Sequence, residues 1–267
     1  MHNRVQANTF AHADLSFLVP DREADHLPLE LQELWEQYRN DCQNQFPADH
    51  AAASSDWPVS LFVPQRYEEN YAYPLLIWFH DDHSSENELD LVMNAIGDQN
   101  YCGLAIRGNT ELPGHDSFGW KADDLEFGTV PLTQLVNITT RRLRRAFHIN
   151  SERIFAAGSG TGADIALRLF TDCPQWFAGA VLIDPVCRQR LTLRNQQDLR
   201  GKPILHTASR TAADETLACN LDTVRLLRSA GVDVDVRITD DTLDPCSNAA
   251  RFIDSWLMSR LNCVSYV

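Results

Sequence analysis

The fold of this chain is decided by one stretch, which reads Arg153-Ile154-Phe155-Ala156-Ala157-Gly158-Ser159-Gly160-Thr161-Gly162-Ala163-Asp164-Ile165-Ala166-Leu167. Its first part is a short apolar run of the kind that is typical of a buried β-strand. The run tightens into a Gly-x-Gly-x-Gly sequence, which favours a sharp turn because glycine tolerates backbone angles that other residues avoid. Good helix formers follow. The stretch therefore predicts a strand, a tight turn and a helix in immediate succession.

Apolar segments on both sides of this stretch predict further strands, and amphipathic segments predict the helices between them. The predicted strands cover residues 59–63, 75–79, 101–106, 179–183, 203–207 and 232–238. The predicted helices cover residues 86–96, 132–147, 214–229 and 248–260. Nearly continuous Val, Ile and Leu runs that alternate with helices are typical of a mostly parallel sheet covered on both faces. We therefore expect an α/β protein, a three-layer sandwich with a central sheet of about seven or eight strands.

Residues 1–56 carry no strong strand signal and are interpreted as an N-terminal extension of a domain that covers residues 57–267. Within the extension, apolar side chains recur at helical spacing at Leu27, Leu31, Leu34, Trp35 and Tyr38. Such a stripe usually packs against the core of the same protein. A helix packed on the main domain is the favoured interpretation, and a contact between two copies of the chain is the alternative.

Composition excludes several classes of function. The chain has 267 residues and a net charge of −14, so it repels phosphate backbones and anionic lipid, and we expect neither a nucleic-acid nor a membrane partner. Its seven cysteines include no Cys-x-x-Cys pair, which argues against a zinc knuckle and suits reduced thiols in a cytoplasmic protein. The N-terminus lacks the apolar segment of a signal peptide. We expect no cofactor and no metal.

The order of the segments and four motifs resemble the α/β-hydrolase superfamily. The first motif is an apolar strand that ends in histidine, residues 73–80, and the second is the stretch 153–169 with residues 174–180 after it. The third is Lys202-Pro203-Ile204-Leu205, and the fourth is a helix-to-strand step at 227–234. The motifs are similar to those of the carboxylesterase/phospholipase group, which includes dienelactone-hydrolase-like and feruloyl-esterase-like enzymes. The resemblance covers roughly residues 57–260 and implies hydrolysis of carboxylic esters by a Ser-His-Asp triad.

The turn of the stretch departs from the nucleophile elbow of such enzymes, Gly-x-Ser-x-Gly. Gly158 and Gly162 occupy the outer positions, but Gly160 stands at the position of the nucleophile. Ser159 and Thr161 flank it and are the candidate substitutes, although a neighbouring residue does not inherit the geometry of the elbow. A tight turn that packs a helix closely on a strand is the favoured interpretation, and a working nucleophile is the alternative.

The base and the acid of the triad also differ from the pattern that the resemblance implies. In this fold the histidine follows both the nucleophile and the acid in sequence. The last of the nine histidines is His206, inside a predicted strand, and Leu243 aligns with the base. Ala212 aligns with the acid. Asp214 could replace it, although a carboxylate in the first turn of a helix is at least as good an interpretation.

The loop after the strand at 75–79 normally supplies a glycine-rich oxyanion hole, but here it reads His80-Asp81-Asp82-His83. Two carboxylates at this place would oppose the negative charge that develops on an ester during hydrolysis. The same four residues, with His115 and Asp116, could ligate a divalent metal, but no ordered ligand spacing supports a metal site. Solvated loop charges are the favoured interpretation.

Together these departures predict a relative of carboxylesterases that has lost triad catalysis. It would bind a small molecule or a partner in the remnant cleft, which the replacements at Gly160 and Leu243 should enlarge and where Trp120 lies either in the wall or in the core. One alternative is an ester hydrolase with a rearranged site, in which Ser159 or Thr161 acts with His80, His83 or His115. A structural role, or assembly into a homo-oligomer, is the other alternative.

Overall fold

A computed structural model describes residues 10–13, 57–121, 126–127, 130–188, 191, 196–240 and 249–263. The strands in these residues are β1 (Phe10–Ala13), β2 (Val59–Phe62), β3 (Tyr73–Phe79), β4 (Cys102–Ile106), β5 (Thr110–Glu111), β6 (Phe118–Gly119), β7 (Glu126–Phe127), β8 (Val130–Pro131), β9 (Ile149–Ser159), β10 (Gly179–Ile183), β11 (Pro203–Ser209) and β12 (Asp233–Thr239). The helices are α1 (Leu89–Ile96), α2 (Leu132–Ala146), α3 (Gly160–Asp172), α4 (Gln196–Leu199), α5 (Asp214–Ser229) and α6 (Ala250–Cys263). Short 3₁₀ helices lie at Glu86–Glu88 and Pro174–Trp176.

Eight of these strands form one sheet, in the order β1-β2-β4-β3-β9-β10-β11-β12. The pairs β4-β3, β3-β9, β9-β10, β10-β11 and β11-β12 are parallel, whereas β1-β2 and β2-β4 are antiparallel. The other four strands make two short hairpins, β5-β6 and β7-β8. The predicted α/β fold with a mostly parallel sheet is therefore confirmed.

The central strands β3, β4 and β10 are buried on both faces of the sheet, which is why they read as unbroken apolar runs. In β3, Leu75 and Ile77 belong to one hydrophobic cluster, whereas Leu76 and Trp78 belong to another. Helices α2, α3 and α5 contribute apolar side chains to the first cluster, and α1 and α6 contribute to the second. This arrangement is the three-layer sandwich that the sequence predicts.

The N-terminal extension differs from its prediction at one point. Residues 1–56 carry no strand signal, yet β1 lies within them and pairs with β2, with Phe10 opposite Leu61. Tertiary pairing supplies what local propensity does not, since an edge strand gains its hydrogen bonds from its neighbour. The amphipathic helix predicted at 27–38 lies outside the described residues. In the part of the chain that is described, no helix has the length and apolar character needed to cross a membrane.

Parallel pairing also decides which loops meet. β3 and β9 are neighbours, and Phe79 at the end of β3 lies opposite Gly158 near the end of β9. Because both strands run in the same direction, their carboxyl ends lie at the same edge of the sheet. The loop after β3, residues 80–85, is therefore held against the turn between β9 and α3.

Candidate functional site

The turn between β9 and α3 has the backbone of a nucleophile elbow. β9 ends at Ser159 and α3 begins at Gly160, whose φ of +53° lies in the left-handed region. Gly162 lies so close to β3 that a Cβ atom added to it would be 2.1 Å from the carbonyl oxygen of Phe79. The glycines therefore serve a sharp strand-to-helix turn and a close helix–strand contact, as the sequence predicts.

The space above Gly160 is filled by a side chain from loop 80–85. A Cβ atom on Gly160 would lie 2.1 Å from Cγ of Asp81 and 2.2 Å from each of its carboxylate oxygens. The Asp81 carboxylate thus occupies the volume in which the side chain of an elbow nucleophile would begin. The expectation that Gly160 enlarges the cleft is wrong, because the volume that glycine vacates is taken by Asp81.

The Asp81 carboxylate also accepts the hydrogen bonds of an oxyanion hole. The backbone N–H of Thr161 donates to its Oδ1 at 2.8 Å, and the backbone N–H of Asp82 donates to the same oxygen at 2.8 Å. Thr161 follows the elbow position and Asp82 belongs to the loop after β3, and these are the two places from which an α/β-hydrolase takes its oxyanion donors. The donors are present, and a carboxylate of the chain itself satisfies them.

Thr161 binds this loop through its hydroxyl group as well. Thr161 Oγ1 accepts the backbone N–H of Asp82 at 3.1 Å. It lies 3.0 Å from Oδ1 of Asp81 and 2.9 Å from Oδ1 of Asp82, so its single proton is donated to one of these two carboxylates. The hydroxyl of this candidate nucleophile is thus fully engaged with loop 80–85.

Loop 184–188, which follows β10, closes the arrangement from the other side. The guanidinium group of Arg188 forms an ion pair with Oδ2 of Asp82. The backbone N–H groups of Cys187 and Arg188 donate to the two carboxylate oxygens of Asp164 on α3, at 3.1 and 3.0 Å. Burial raises the pKa of Asp164, and these N–H donors oppose the rise. Asp82 contacts Thr161 in the elbow turn and Arg188 in loop 184–188, and it therefore connects the two segments.

His80 holds loop 80–85 in place and is not free to act as a base. Its side chain is fully buried. The backbone N–H of Gly108 donates to Nε2 at 2.9 Å, so Nε2 is unprotonated and the proton lies on Nδ1, 2.7 Å from the carbonyl oxygen of Asp81. Burial lowers the pKa of His80, which keeps the ring neutral. The Trp120 indole N–H donates to the His80 carbonyl oxygen at 2.8 Å and is itself buried.

Two inward-facing carboxylates anchor the far end of this loop. Glu86 is fully buried and accepts the Arg107 Nε–H at 2.8 Å in a two-point ion pair. Glu88 accepts the indole N–H of Trp78 at 3.0 Å and the hydroxyl of Ser84 at 2.5 Å. Because Glu86 and Glu88 both accept hydrogen bonds from groups on neighbouring elements, the segment that follows loop 80–85 is fixed in place.

The remaining candidate bases lie apart from the candidate nucleophiles. His83 is exposed, and its Nδ1 lies 3.3 Å from the hydroxyl oxygen of Ser117. His115 is exposed as well. Among the described residues, no histidine hydrogen-bonds the hydroxyl of Ser159 or of Thr161. Hydrogen bonds from Asn87 and Ser85 lower the pKa of Asp116, which neighbours His115.

Asp214, the candidate for the acid of the triad, is the first residue of α5 and is exposed. Ala212, which aligns with the acid, lies in the bend between β11 and α5. Leu243 lies outside the described residues. His206 is fully buried in the middle of β11, where burial lowers its pKa to about 4, so it is neutral at physiological pH.

Two residues of the site, Asp164 and Arg188, escaped the sequence analysis. Arg188 follows a predicted strand by a few residues, and the carboxyl ends of parallel strands are where open α/β sheets build their sites. That position after a strand could have identified Arg188 as a candidate site residue. Asp164 carried no signal, since an aspartate in the first turns of a helix has many uses. Among the described residues, no three His, Cys, Asp or Glu side chains come together in a way that could hold a metal ion.

Comparison with known proteins places this geometry in context. No protein-family model matches the chain, and no curated protein does. Among solved structures, the Bacillus cereus carboxylesterase has a TM-score of 0.59 at 20% identity, over 76% of this chain and 94% of that one. A carboxylesterase from Mesorhizobium loti has a TM-score of 0.56 at 25% identity, also over 76% and 94%.

A fluorophosphonate-binding serine hydrolase of Staphylococcus aureus has a TM-score of 0.57 at 12% identity, over 80% of this chain and 96% of that one. Carboxylesterases and serine hydrolases of the α/β-hydrolase type are thus the structural neighbours of this protein, and the chain has the α/β-hydrolase fold. The predicted resemblance is confirmed at the level of the fold.

Proposed function

We propose that this chain is a non-catalytic α/β-hydrolase-fold protein that binds a small molecule or a partner in the cleft above the elbow turn. One observation carries the proposal. The Asp81 carboxylate accepts both backbone N–H groups of the oxyanion hole and fills the space of the nucleophile. The chain would then share the fold of these hydrolases without their activity, since a fold alone does not give activity.

The charge of Asp81 opposes ester hydrolysis. During acyl transfer the carbonyl oxygen becomes an oxyanion, and backbone N–H groups aimed at it supply much of the rate. Loss of one such donor typically costs about 10²- to 10³-fold in kcat. Here both donors already bind a carboxylate, so an incoming substrate oxygen would have to displace a negative charge from its own hydrogen bonds.

The nucleophile and the base support the same conclusion. Gly160 has no side chain, and the hydroxyl of Thr161 is engaged with Asp81 and Asp82. The Ser159 hydroxyl is buried, and neither it nor Thr161 has a histidine in hydrogen-bond contact among the described residues. A serine or threonine without an adjacent base is a weak nucleophile at neutral pH.

The fixed loops at the carboxyl edge of the sheet support binding. The loops at this edge are held by hydrogen-bonded polar groups, and such networks make the arrangement rigid. Polar residues at this edge remain accessible, since His83 is exposed and Asp81 is partly exposed. Open α/β sheets bind ligands outside the carboxyl ends of their strands, which is where these groups lie.

Two experiments test the two halves of the proposal. Treatment with a fluorophosphonate probe and assay with a panel of activated esters should give neither labelling within residues 158–162 nor turnover above the buffer rate. Stoichiometric labelling of Ser159 or Thr161 would instead establish the rearranged hydrolase.

Binding is tested by NMR with a fragment library of amines, carboxylates and neutral esters. Shifts confined to residues 80–85, 115–120 and 158–162 are expected, and a library that leaves these residues unmoved would refute a binding cleft.

A further inference from the structure

Two cysteines from different elements meet beside loop 184–188. Cys187 lies in this loop and Cys219 lies on α5, and both are free thiols with partial exposure. Cys219 Sγ donates to the backbone carbonyl oxygen of Cys187 at 3.9 Å, so the two residues are in direct contact. We propose that Cys187 and Cys219 are a redox-modification site, in which an external disulfide converts the two thiols into a reversible intramolecular disulfide.

The surroundings of Cys187 direct its thiol towards α5. The thiol donates to Oδ1 of Asn220 at 3.2 Å, and the Asn220 amide donates to the carbonyl oxygen of Pro185 at 2.9 Å. On the other side, the Cys187 backbone N–H donates to Asp164 at 3.1 Å. Cys187 has a φ of +60°, which non-glycine residues adopt only when their surroundings determine it. The cysteine is thus fixed next to the helix that carries its partner.

The chemistry is a pair of thiol–disulfide exchanges with a low-molecular-weight disulfide such as oxidised glutathione. The thiolate of one cysteine attacks a sulfur of the oxidant, which breaks the S–S bond of the oxidant, forms a mixed disulfide and releases one glutathione thiolate. The thiolate of the other cysteine attacks the protein sulfur of this mixed disulfide, forms the Cys187–Cys219 bond and releases the second glutathione. The pair loses two protons and two electrons, and the oxidant takes up both.

The local environment makes this exchange slow at neutral pH and faster in alkali. Burial raises the pKa of the Cys187 thiol, and the neighbouring Cys219 and Asp164 raise it further. Because the thiolate is the attacking form, its scarcity at neutral pH limits the rate. The two thiols should therefore become oxidised only when the surrounding ratio of disulfide to thiol stays high for a long time. Brief exposure to an oxidant should leave them reduced.

The bond would fasten loop 184–188 to α5. The same loop carries Arg188, which is ion-paired to Asp82 next to the elbow turn. Oxidation would consequently add a covalent bond that holds Arg188 where it restrains Asp82, whereas the reduced loop is held by non-covalent contacts, including its hydrogen bonds to Asp164, Asn220 and Thr207. This inference is independent of whether the cleft has lost catalysis, since it concerns thiols outside the site of acyl transfer.

The full-length chain should be incubated with oxidised glutathione at pH 8.5 without denaturant, alkylated, digested with trypsin and mapped by mass spectrometry. Arg188 and Arg210 lie between the two cysteines, so trypsin separates them unless they are joined. We expect a cross-linked peptide that contains Cys187 and Cys219 and disappears after reduction. The melting temperature should rise by about 5 °C or more, because the bond closes a long loop in the unfolded chain.

Matched variants make the result specific. Cys187→Ser and Cys219→Ser should lose both the cross-link and the thermal shift, whereas Cys173→Ser should keep both. Cys173 is a suitable control because it is also partly exposed and burial raises its pKa too. Glutathionylation without a cross-link, a dominant cross-link between other cysteines, or oxidation at Cys173 before the pair reacts would each overturn the proposal.

Discussion

The turn at Gly160 and loop 80–85 face each other, and they differ in how closely they match the site of an α/β-hydrolase. The turn keeps the backbone of an elbow, with Gly160 in the left-handed region and Gly162 pressed against Phe79. The loop keeps its position and its backbone donor, but Asp81 directs a carboxylate at the turn. Backbone geometry follows from the packing of β3, β9 and α3, which the fold needs whatever the protein does. Side chains at this edge are not required by that packing, so the same scaffold can carry different chemistry at the edge.

The close packing of α3 on β3 requires a glycine at position 162. Gly162→Ala places a Cβ atom 2.1 Å from the Phe79 carbonyl oxygen, which is backbone and cannot rotate away. We expect a loss of about 3 kcal/mol or more in the free energy of unfolding, measured by urea denaturation. Gly201→Ala is the control, because Gly201 has a φ of +75° but nothing within 4 Å. It should lose only about 1 kcal/mol, from backbone strain. Equal losses in the two variants would contradict the packing claim.

Gly160→Ser tests the contact between the two regions. The new side chain must displace the Asp81 carboxylate from its hydrogen bonds and adopt a left-handed φ, so we expect a loss of about 2–3 kcal/mol. In the background of Asp81→Gly the same substitution should cost about 1–2 kcal/mol less, since the volume is then vacant. Urea denaturation of the four proteins of this cycle gives the coupling directly. Additive losses would show that Asp81 does not occupy the space of the nucleophile.

Asp81→Ala should expose the oxyanion donors that the carboxylate satisfies. Because the N–H groups of Thr161 and Asp82 lose a charged acceptor, we expect a loss of about 2 kcal/mol in stability. A small carboxylate should then bind in its place, so that acetate raises the melting temperature of Asp81→Ala and leaves that of the wild type unchanged at equal ionic strength. Asp240→Ala, which removes an exposed carboxylate from a surface pair, should respond to acetate as the wild type does. An acetate effect in the wild type would mean that the donors are already accessible.

The smallest effect at neutral pH concerns His80. Burial holds the pKa of His80 below that of a histidine in the unfolded chain, about 6.5, so the unfolded chain binds more protons below that pH. The stability that neutral His80 contributes is complete above about pH 6.5 and decreases as the pH falls. Protonation would also abolish the acceptor for Gly108 N–H.

Chemical denaturation between pH 7.5 and 4.5 measures this dependence, and a His80→Gln variant should show a shallower decline. His206, whose pKa is lowered to about 4, contributes in the same direction. The comparison is therefore best made in a His206→Leu background, in which His80→Gln should still change the slope. An unchanged slope would mean that His80 is not held neutral by the loop.

The sequence predicted β2 to β4 and β9 to β12 within a few residues, because buried strands read as unbroken apolar runs, and it predicted helices α1, α2, α3, α5 and α6 from their spacing. It missed the two short hairpins β5-β6 and β7-β8 and the helix α4. It also predicted the elbow turn, since the glycines 158, 160 and 162 alternate within five consecutive residues. It did not predict β1, because this strand is stabilised by pairing with β2 and its own residues show no strong preference for a strand. The assignments of Ser159, Thr161 and Asp214 as catalytic residues remain predictions. Arg188 and Asp164 joined the site only through contacts with residues distant in sequence.

The sequence by itself determined the α/β-hydrolase fold, the missing side chain at Gly160 and the absence of any histidine after His206. The apolar runs carry the α/β class and the motifs that resemble the superfamily carry the more specific fold, because both depend on each residue and its near neighbours. Only the tertiary structure decided what stands above Gly160. The register of β3 on β9 brings Asp81 to Thr161 across 80 positions of the chain, and the side-chain geometry of Asp81 puts its carboxylate on both N–H donors. Such a contact is set by packing between loops, and no local pattern in the sequence encodes it.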